Sequence, residues 1–206
     1  MEKPRSTEVG SLRIFDGVFS EANCEDLINL FKLNLDLQKP VESEFGLTAT
    51  GYEYTKHHVE EDFHTGIIDQ IAKLYSKYLE GLELPNLIAH QGMEELTIQR
   101  FRANSEDSHA GHIDVMNHSD AIRAVGFRIY LSDNDGRTEF PRQGMGIEPR
   151  AGRAVVFPPT WEYPYQCKNP TDSDKYILTT YLHYAEKQQD QGVSTPEISE
   201  DIPEKG

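Results

Sequence analysis

The pattern of apolar and polar positions divides the chain into a helical first half and a strand-rich second half. Leu12 to Phe19 alternates apolar with polar residues, the period-two signature of a short strand. Ser20 follows as a candidate N-cap, with Glu21, Glu25 and Asp26 placed favourably in the first turns of a helix. Leu27, Ile28, Leu30, Phe31 and Leu35 recur at helical spacing and predict a helix to about residue 37. Residues 38–60, with Pro40, Gly46 and Gly51, read as a loop holding one strand around Gly51 to Tyr54. Between Glu61 and Gly81, the set Phe63, Ile67, Ile68, Ile71, Leu74, Tyr75, Tyr78 and Leu79 makes one apolar face. That is the clearest helix, and Gly81 ends it. Leu82 to Gln91 is a connector around Pro85, and Glu95 to Arg102 alternates as a strand. Beyond residue 110 come Val125 to Leu131, Gly146 to Glu148, Ala154 to Phe157 and Tyr176 to Tyr184, all β-branched or aromatic runs. Asn134-Asp135-Gly136, Arg142-Gln143-Gly144 and Ala151-Gly152 punctuate them. Helices first and short strands after predict an α+β domain.

Composition narrows the class. The chain has 206 residues, enough for one domain with a sizeable core. Only 37% are hydrophobic, but ten Tyr and nine Phe supply burial, so a folded domain is expected. A formal net charge of −15 argues against nucleic acid and anionic membranes as partners. Cys24 and Cys167 make neither a disulfide framework nor a CxxC metal site. Cys24 reads as a core thiol; Cys167, in a polar segment, is a candidate reactive one. The polar N-terminus has no apolar h-region and no stretch has transmembrane length, so a soluble, cytoplasmic protein is expected. The expected layout is a polar tail over residues 1–11, a domain over 12–185 and a disordered acidic tail over 186–206.

Candidate chemistry begins at His112-Ile113-Asp114. On an extended strand, residues i and i+2 share a face, so this histidine and carboxylate aim at one point. They supply two thirds of a 2-His-1-carboxylate facial triad, the Fe(II) site with open positions. Alone, the pair reads more readily as two solvated side chains on a strand edge. The downstream blocks are Phe127-Arg128-Ile129-Tyr130-Leu131, Gly136-Arg137-Thr138-Glu139-Phe140-Pro141, Pro149-Arg150-Ala151-Gly152-Arg153-Ala154-Val155-Val156-Phe157, and Lys175-Tyr176. In order and spacing they resemble the prolyl 4-hydroxylase-like branch of the Fe(II)/2-oxoglutarate dioxygenases, over roughly residues 12 to 185.

The resemblance implies a double-stranded β-helix (jelly roll) with N-terminal helices packed on its major sheet. It implies Fe(II) as metal, 2-oxoglutarate as cosubstrate and ascorbate as an optional addition. The activity it implies is hydroxylation of a C–H bond in a peptidyl proline or related small substrate, with release of succinate and CO2. By the same carry-over His112 and Asp114 bind the metal, Lys175 anchors the far carboxylate of the oxo acid, and Thr138 lies beside it. Phe101 is the nearest match to an aromatic residue near the cosubstrate.

One position departs from the family. Ten residues before Lys175, where the distal iron-binding histidine belongs, the chain has Tyr165. The third metal position is then Tyr165, or the triad is incomplete. His118 would share the His112 face if the strand continued, and is a candidate replacement. His109 would face the opposite way, and His57, His58, His64, His90 and His183 read as surface or strand polar residues. Arg128 and Trp161 are candidate pocket residues, with Arg128 suited to an acidic substrate or to an ion pair. The alternative to an oxygenase is a non-catalytic jelly-roll binding domain that has lost the iron triad. A cupin-like metalloprotein is a third reading. The substrate and oligomeric state are open.

Overall fold

The computed structural model describes residues 7–42, 48–54, 59–83, 90–105 and 111–185. Among them are twelve strands and two α-helices. The first half holds β1 (Thr7–Val9), β2 (Leu12–Phe15), α1 (Glu21–Leu33), β3 (Lys39–Glu42), β4 (Thr48–Tyr54), α2 (Glu61–Gly81), β5 (His90–Met93) and β6 (Leu96–Phe101). The second holds β7 (Arg123–Tyr130), β8 (Thr138–Phe140), β9 (Met145–Ile147), β10 (Ala154–Phe157), β11 (Gln166–Cys167) and β12 (Lys175–Tyr184). Nine strands form one antiparallel sheet in the order β1-β2-β10-β7-β12-β6-β4-β3, with β5 on the far end of β12. A second sheet, β11-β8-β9, covers part of one face. This is the jelly roll with helices on its major sheet.

Local chemistry explains the elements. The Ser20 hydroxyl accepts from the Asn23 N–H at 3.1 Å, and the Ser20 backbone N–H donates in return to Asn23 Oδ1, so α1 starts with a capping box. The helix breaks at Asn34, and Leu35–Leu37 adds one 3-10 turn. Helix α2 buries Ile67, Ile71, Leu74, Tyr75 and Tyr78. Those residues join Cys24, Leu27 and Phe31 of α1 against Phe127, Ile129, Tyr176 and Leu178 of the sheet. Gly152, at φ +76°, brings the β10 turn against the chain before α1. A Cβ there would lie 2.2 Å from the Phe19 carbonyl oxygen, so only glycine fits.

Several short strands escape the sequence pattern. Thr7–Val9, assigned to the polar tail, pairs with β2. Strands β3, β8 and β11 have two to four residues each, too few for alternation to register. The 186–206 tail and His57, His58 and His109 lie outside the described residues. Among the described residues, no helix is long and apolar enough to cross a membrane.

Candidate functional site

The inner face of the large sheet carries the chemistry. Alternation sends Phe127 and Ile129 of β7 to the helices, so Arg128 and Tyr130 point inward. On β12, Tyr176 and Leu178 face the helices, while Lys175 and Ile177 face inward. Opposite them, β8 and β11 supply Thr138 and Cys167.

His112 and Asp114 are not on a continuous strand. His112 forms a single antiparallel bridge with Tyr165, each N–H donating to the other's carbonyl at 3.0 Å. This sets the two rings 4.6 Å apart. The chain then turns, leaving His118 exposed and away from the His112 bridge, because no strand continues to it. Asp114 is buried, and its Oδ1 is the centre of a network. The Tyr165 hydroxyl donates to it at 2.6 Å. The Arg128 Nη2 lies 3.3 Å from Oδ1 and 3.4 Å from Oδ2. His112 Nε2 lies 3.4 Å from Oδ1. The Arg128 guanidinium also covers the Tyr165 ring at 4.2 Å.

Electrostatics follow from burial and this pairing. Burial alone would raise the Asp114 pKa, but Arg128 and His112 more than reverse it and hold the carboxyl below the usual range. Burial likewise opposes the Arg128 charge, and Asp114 overturns that, leaving the guanidinium even harder to deprotonate. Tyr181 shares the carboxylate, and burial followed by the Asp114 charge pushes its phenol up. Sequence reasoning passed over Tyr181, although period two from Lys175 through Ile177 and Thr179 leads to it.

Lys175 forms a second pole. It is 0% exposed. Its ammonium donates to the Gly136 carbonyl at 2.6 Å, and the Cys167 thiol is its other polar neighbour. The rings of Phe101 and Tyr130 lie 5.5 and 5.8 Å away. The Tyr130 hydroxyl donates to Thr138 Oγ1 at 2.7 Å, and Thr138 Oγ1 is 3.4 Å from Cys167 Sγ. No described carboxylate pairs with Lys175, and burial lowers its pKa. Gly136 is held by its surroundings, since a Cβ would meet the Lys168 carbonyl oxygen at 2.8 Å. Trp161 lies apart, 63% exposed beside Arg142. His183 pairs with Glu94 at 3.0 Å.

The structure therefore brings His112, Asp114 and Tyr165 together, and Lys175, Thr138 and Phe101 together. Whether the first group suits Fe(II) is decided by its donors. Tyr165 spends its proton on Asp114, and Arg128 puts a fixed positive charge on both oxygens of the same carboxylate. A divalent cation there would meet a like charge and a neutral phenol, so the arrangement does not fit it. Among the described residues no three His, Cys, Asp or Glu side chains cluster as metal ligands.

Comparison with solved structures shows the fold. The viral collagen prolyl hydroxylase of Paramecium bursaria Chlorella virus-1, in its 2OG complex, superposes with a TM-score of 0.65 at 19% identity, over 86% of this chain and 97% of that one. A Pseudomonas putida prolyl-4-hydroxylase gives 0.66 at 16% identity, over 85% and 94%. The Trichoplax adhaerens prolyl hydroxylase, bound to a hypoxia inducible factor peptide fragment, gives 0.66 at 14% identity, over 84% of both chains. No family model and no curated protein matches the chain. The chain has the fold of the prolyl hydroxylase-like 2-oxoglutarate oxygenases.

Proposed function

We propose that this chain is a binding domain of prolyl hydroxylase fold that does not carry out iron-dependent hydroxylation. The observation that carries this reading is the 2.6 Å bond from the Tyr165 hydroxyl to Asp114, on a carboxylate already paired with Arg128. To take up Fe(II), the site would have to break the Tyr165–Asp114 bond and swing a buried guanidinium aside. Were Tyr165 itself to ligate, it would first have to lose a phenol proton whose ordinary pKa is about 10, and its phenolate would favour Fe(III) over Fe(II). The binding unit is residues 12–185, the span of the sequence resemblance, and its ligand is a small molecule or a peptide.

A second reading is the Fe(II)- and 2-oxoglutarate-dependent dioxygenase acting on a peptidyl proline or related substrate. It is favoured by His112 Nε2 at 3.4 Å from Asp114 and by the buried ammonium of Lys175. An aerobic assay with Fe(II), ascorbate and 2-oxoglutarate separates the two. The binding-domain reading expects no succinate above a no-enzyme control. It also expects no gain from Tyr165→His alone, because Arg128 still holds Asp114. Metal-dependent succinate formation by the unaltered chain, lost in His112→Ala, would establish the dioxygenase instead.

A further inference from the structure

The side of the molecule away from Asp114 and Lys175 carries an apolar surface that stays exposed. Helix α1 turns Cys24, Leu27 and Phe31 into the core. Asp26, Leu30 and Leu33 recur at i, i+4 and i+7, so they form a second stripe along its flank. With Val59, Glu60 and Phe63 at the start of α2, this stripe lines an open groove of about 370 Å³. Leu33 is 82% exposed, and in the 3-10 turn that follows Leu35 is 69% and Leu37 40% exposed. A single exposed leucine is ordinary. Three within five residues, one of them lining a groove, make a patch of the kind that binds a partner.

The rim of this groove has one sign of charge. Asp26 and Glu60 line it, Asp36 sits among the exposed leucines, and Glu61 and Asp62 open α2. Among the described residues none of the five has an ion-pair partner. Lys32, the one cation of α1, lies beside the Tyr176 ring at 5.9 Å instead of lining the groove. A second copy of this chain, at net −15, would bring like charge to the rim. So would the 186–206 segment, with six side-chain carboxylates against two lysines. We propose that the groove receives an amphipathic helix of a basic partner protein. Its apolar side chains settle between Leu30, Leu33 and Phe63, and lysines or arginines beside them meet Asp26 and Glu60. A furrow between two helices suits a third, whose i, i+4 ridge fills it. The acidic rim speeds the encounter and sets the orientation, while the leucines hold the complex. Because α1 and α2 pack on the other face of the large sheet from Asp114 and Lys175, this partner needs nothing bound on the inner face. The proposal therefore stands apart from the binding-domain reading.

The full chain is titrated into a fluorescein-labelled amphipathic Leu/Lys helical peptide, followed by fluorescence anisotropy. A Leu/Glu peptide of the same pattern and a Ser/Lys peptide without the apolar face are run beside it. Saturable binding of the Leu/Lys peptide, well above both others, is expected. Leu33→Ser/Leu35→Ser should weaken it about 10-fold or more, with normal thermal unfolding because both side chains are exposed. Asp26→Lys/Glu60→Lys should also weaken it about 10-fold. Glu148→Lys/Glu162→Lys makes the same charge change beside the second sheet and should leave binding nearly unchanged. An equal loss in the two charge variants, or equal binding of the Ser/Lys peptide, would reduce the effect to net charge and overturn the groove. Binding that survives Leu33→Ser/Leu35→Ser would overturn it too, as would the absence of binding. Equal binding of the Leu/Glu peptide would overturn the basic partner. A concentration-dependent dimer in sedimentation, broken by Leu33→Ser/Leu35→Ser, would make a second copy the occupant and overturn it as well.

Discussion

The two faces of the large sheet are built from the same strands and obey different rules. The helix-facing side is mainly apolar: Phe31, Ile67, Ile71, Leu74, Val125, Phe127, Ile129 and Leu178 are each at most 2% exposed, with Arg13 and Thr180 the buried polar side chains in the same row. The inner side is as well buried, yet it encloses Arg128, Asp114, Thr138 and Lys175. Dry apolar contact stabilises a fold through area alone and tolerates volume-conserving change. A buried ion pair contributes little net stability against a hydrophobic replacement, but breaking it leaves a stranded charge. One face is thus needed to fold the chain. The other constrains what the chain can bind.

That contrast can be broken most sharply at Arg128. Arg128→Ala should cost about 3–5 kcal/mol in urea unfolding, because Asp114 stays buried without its cation. The double change Asp114→Asn/Arg128→Met removes both charges and should fall within about 1 kcal/mol of the parent. An equal loss in both would mean that the pair matters for packing, as on the helix side. Ile71→Ala, on that helix side, should cost about 2–4 kcal/mol through lost burial and cavity. No second change at a charged residue should rescue it. Tyr165→Phe deletes the phenol donor to a charged acceptor and should cost about 1.5–3 kcal/mol.

Acid sharpens the comparison further. The Asp114 pKa is lowered in the fold, so its stabilising contribution is present above about pH 4 and is lost as pH falls through the folded value. Asp135, brought to about 2 chiefly by the Thr171 hydroxyl and backbone N–H, adds to the same limb from the surface. Urea midpoints should therefore fall between pH 5 and pH 3, and fall less in Asp114→Asn/Arg128→Met. The smallest effect expected is at the cap: Ser20→Ala should cost about 1 kcal/mol, with no change in pH dependence.

Much of this architecture is written in periodicity. Helix α2 ends where Gly81 and its apolar face say it should, and Ser20 caps α1 as its position suggests. Period two on β12 puts Lys175 inside. The short strands β3, β8 and β11 carry too few residues to show alternation. The His112–Tyr165 bridge is a long-range pairing that no local pattern encodes. Tyr165 could be located by counting from Lys175, but its use could not. A phenol beside a carboxylate can ligate or hydrogen-bond by turns of its ring, and the choice here follows from Arg128, 37 residues away on β7 and meeting the same oxygen. Arg128 itself stands out as a charge between Phe127 and Ile129, a signal that gives its direction without its partner.

The central claim is that Asp114 is committed to Arg128 and Tyr165 rather than to a metal. Mn(II) titration followed by electron paramagnetic resonance tests it directly, since only free aqueous Mn(II) gives the sharp six-line signal. The account predicts that this signal stays undiminished at stoichiometric protein, with or without 2-oxoglutarate. Loss of one equivalent of free Mn(II), restored by His112→Ala, would contradict it.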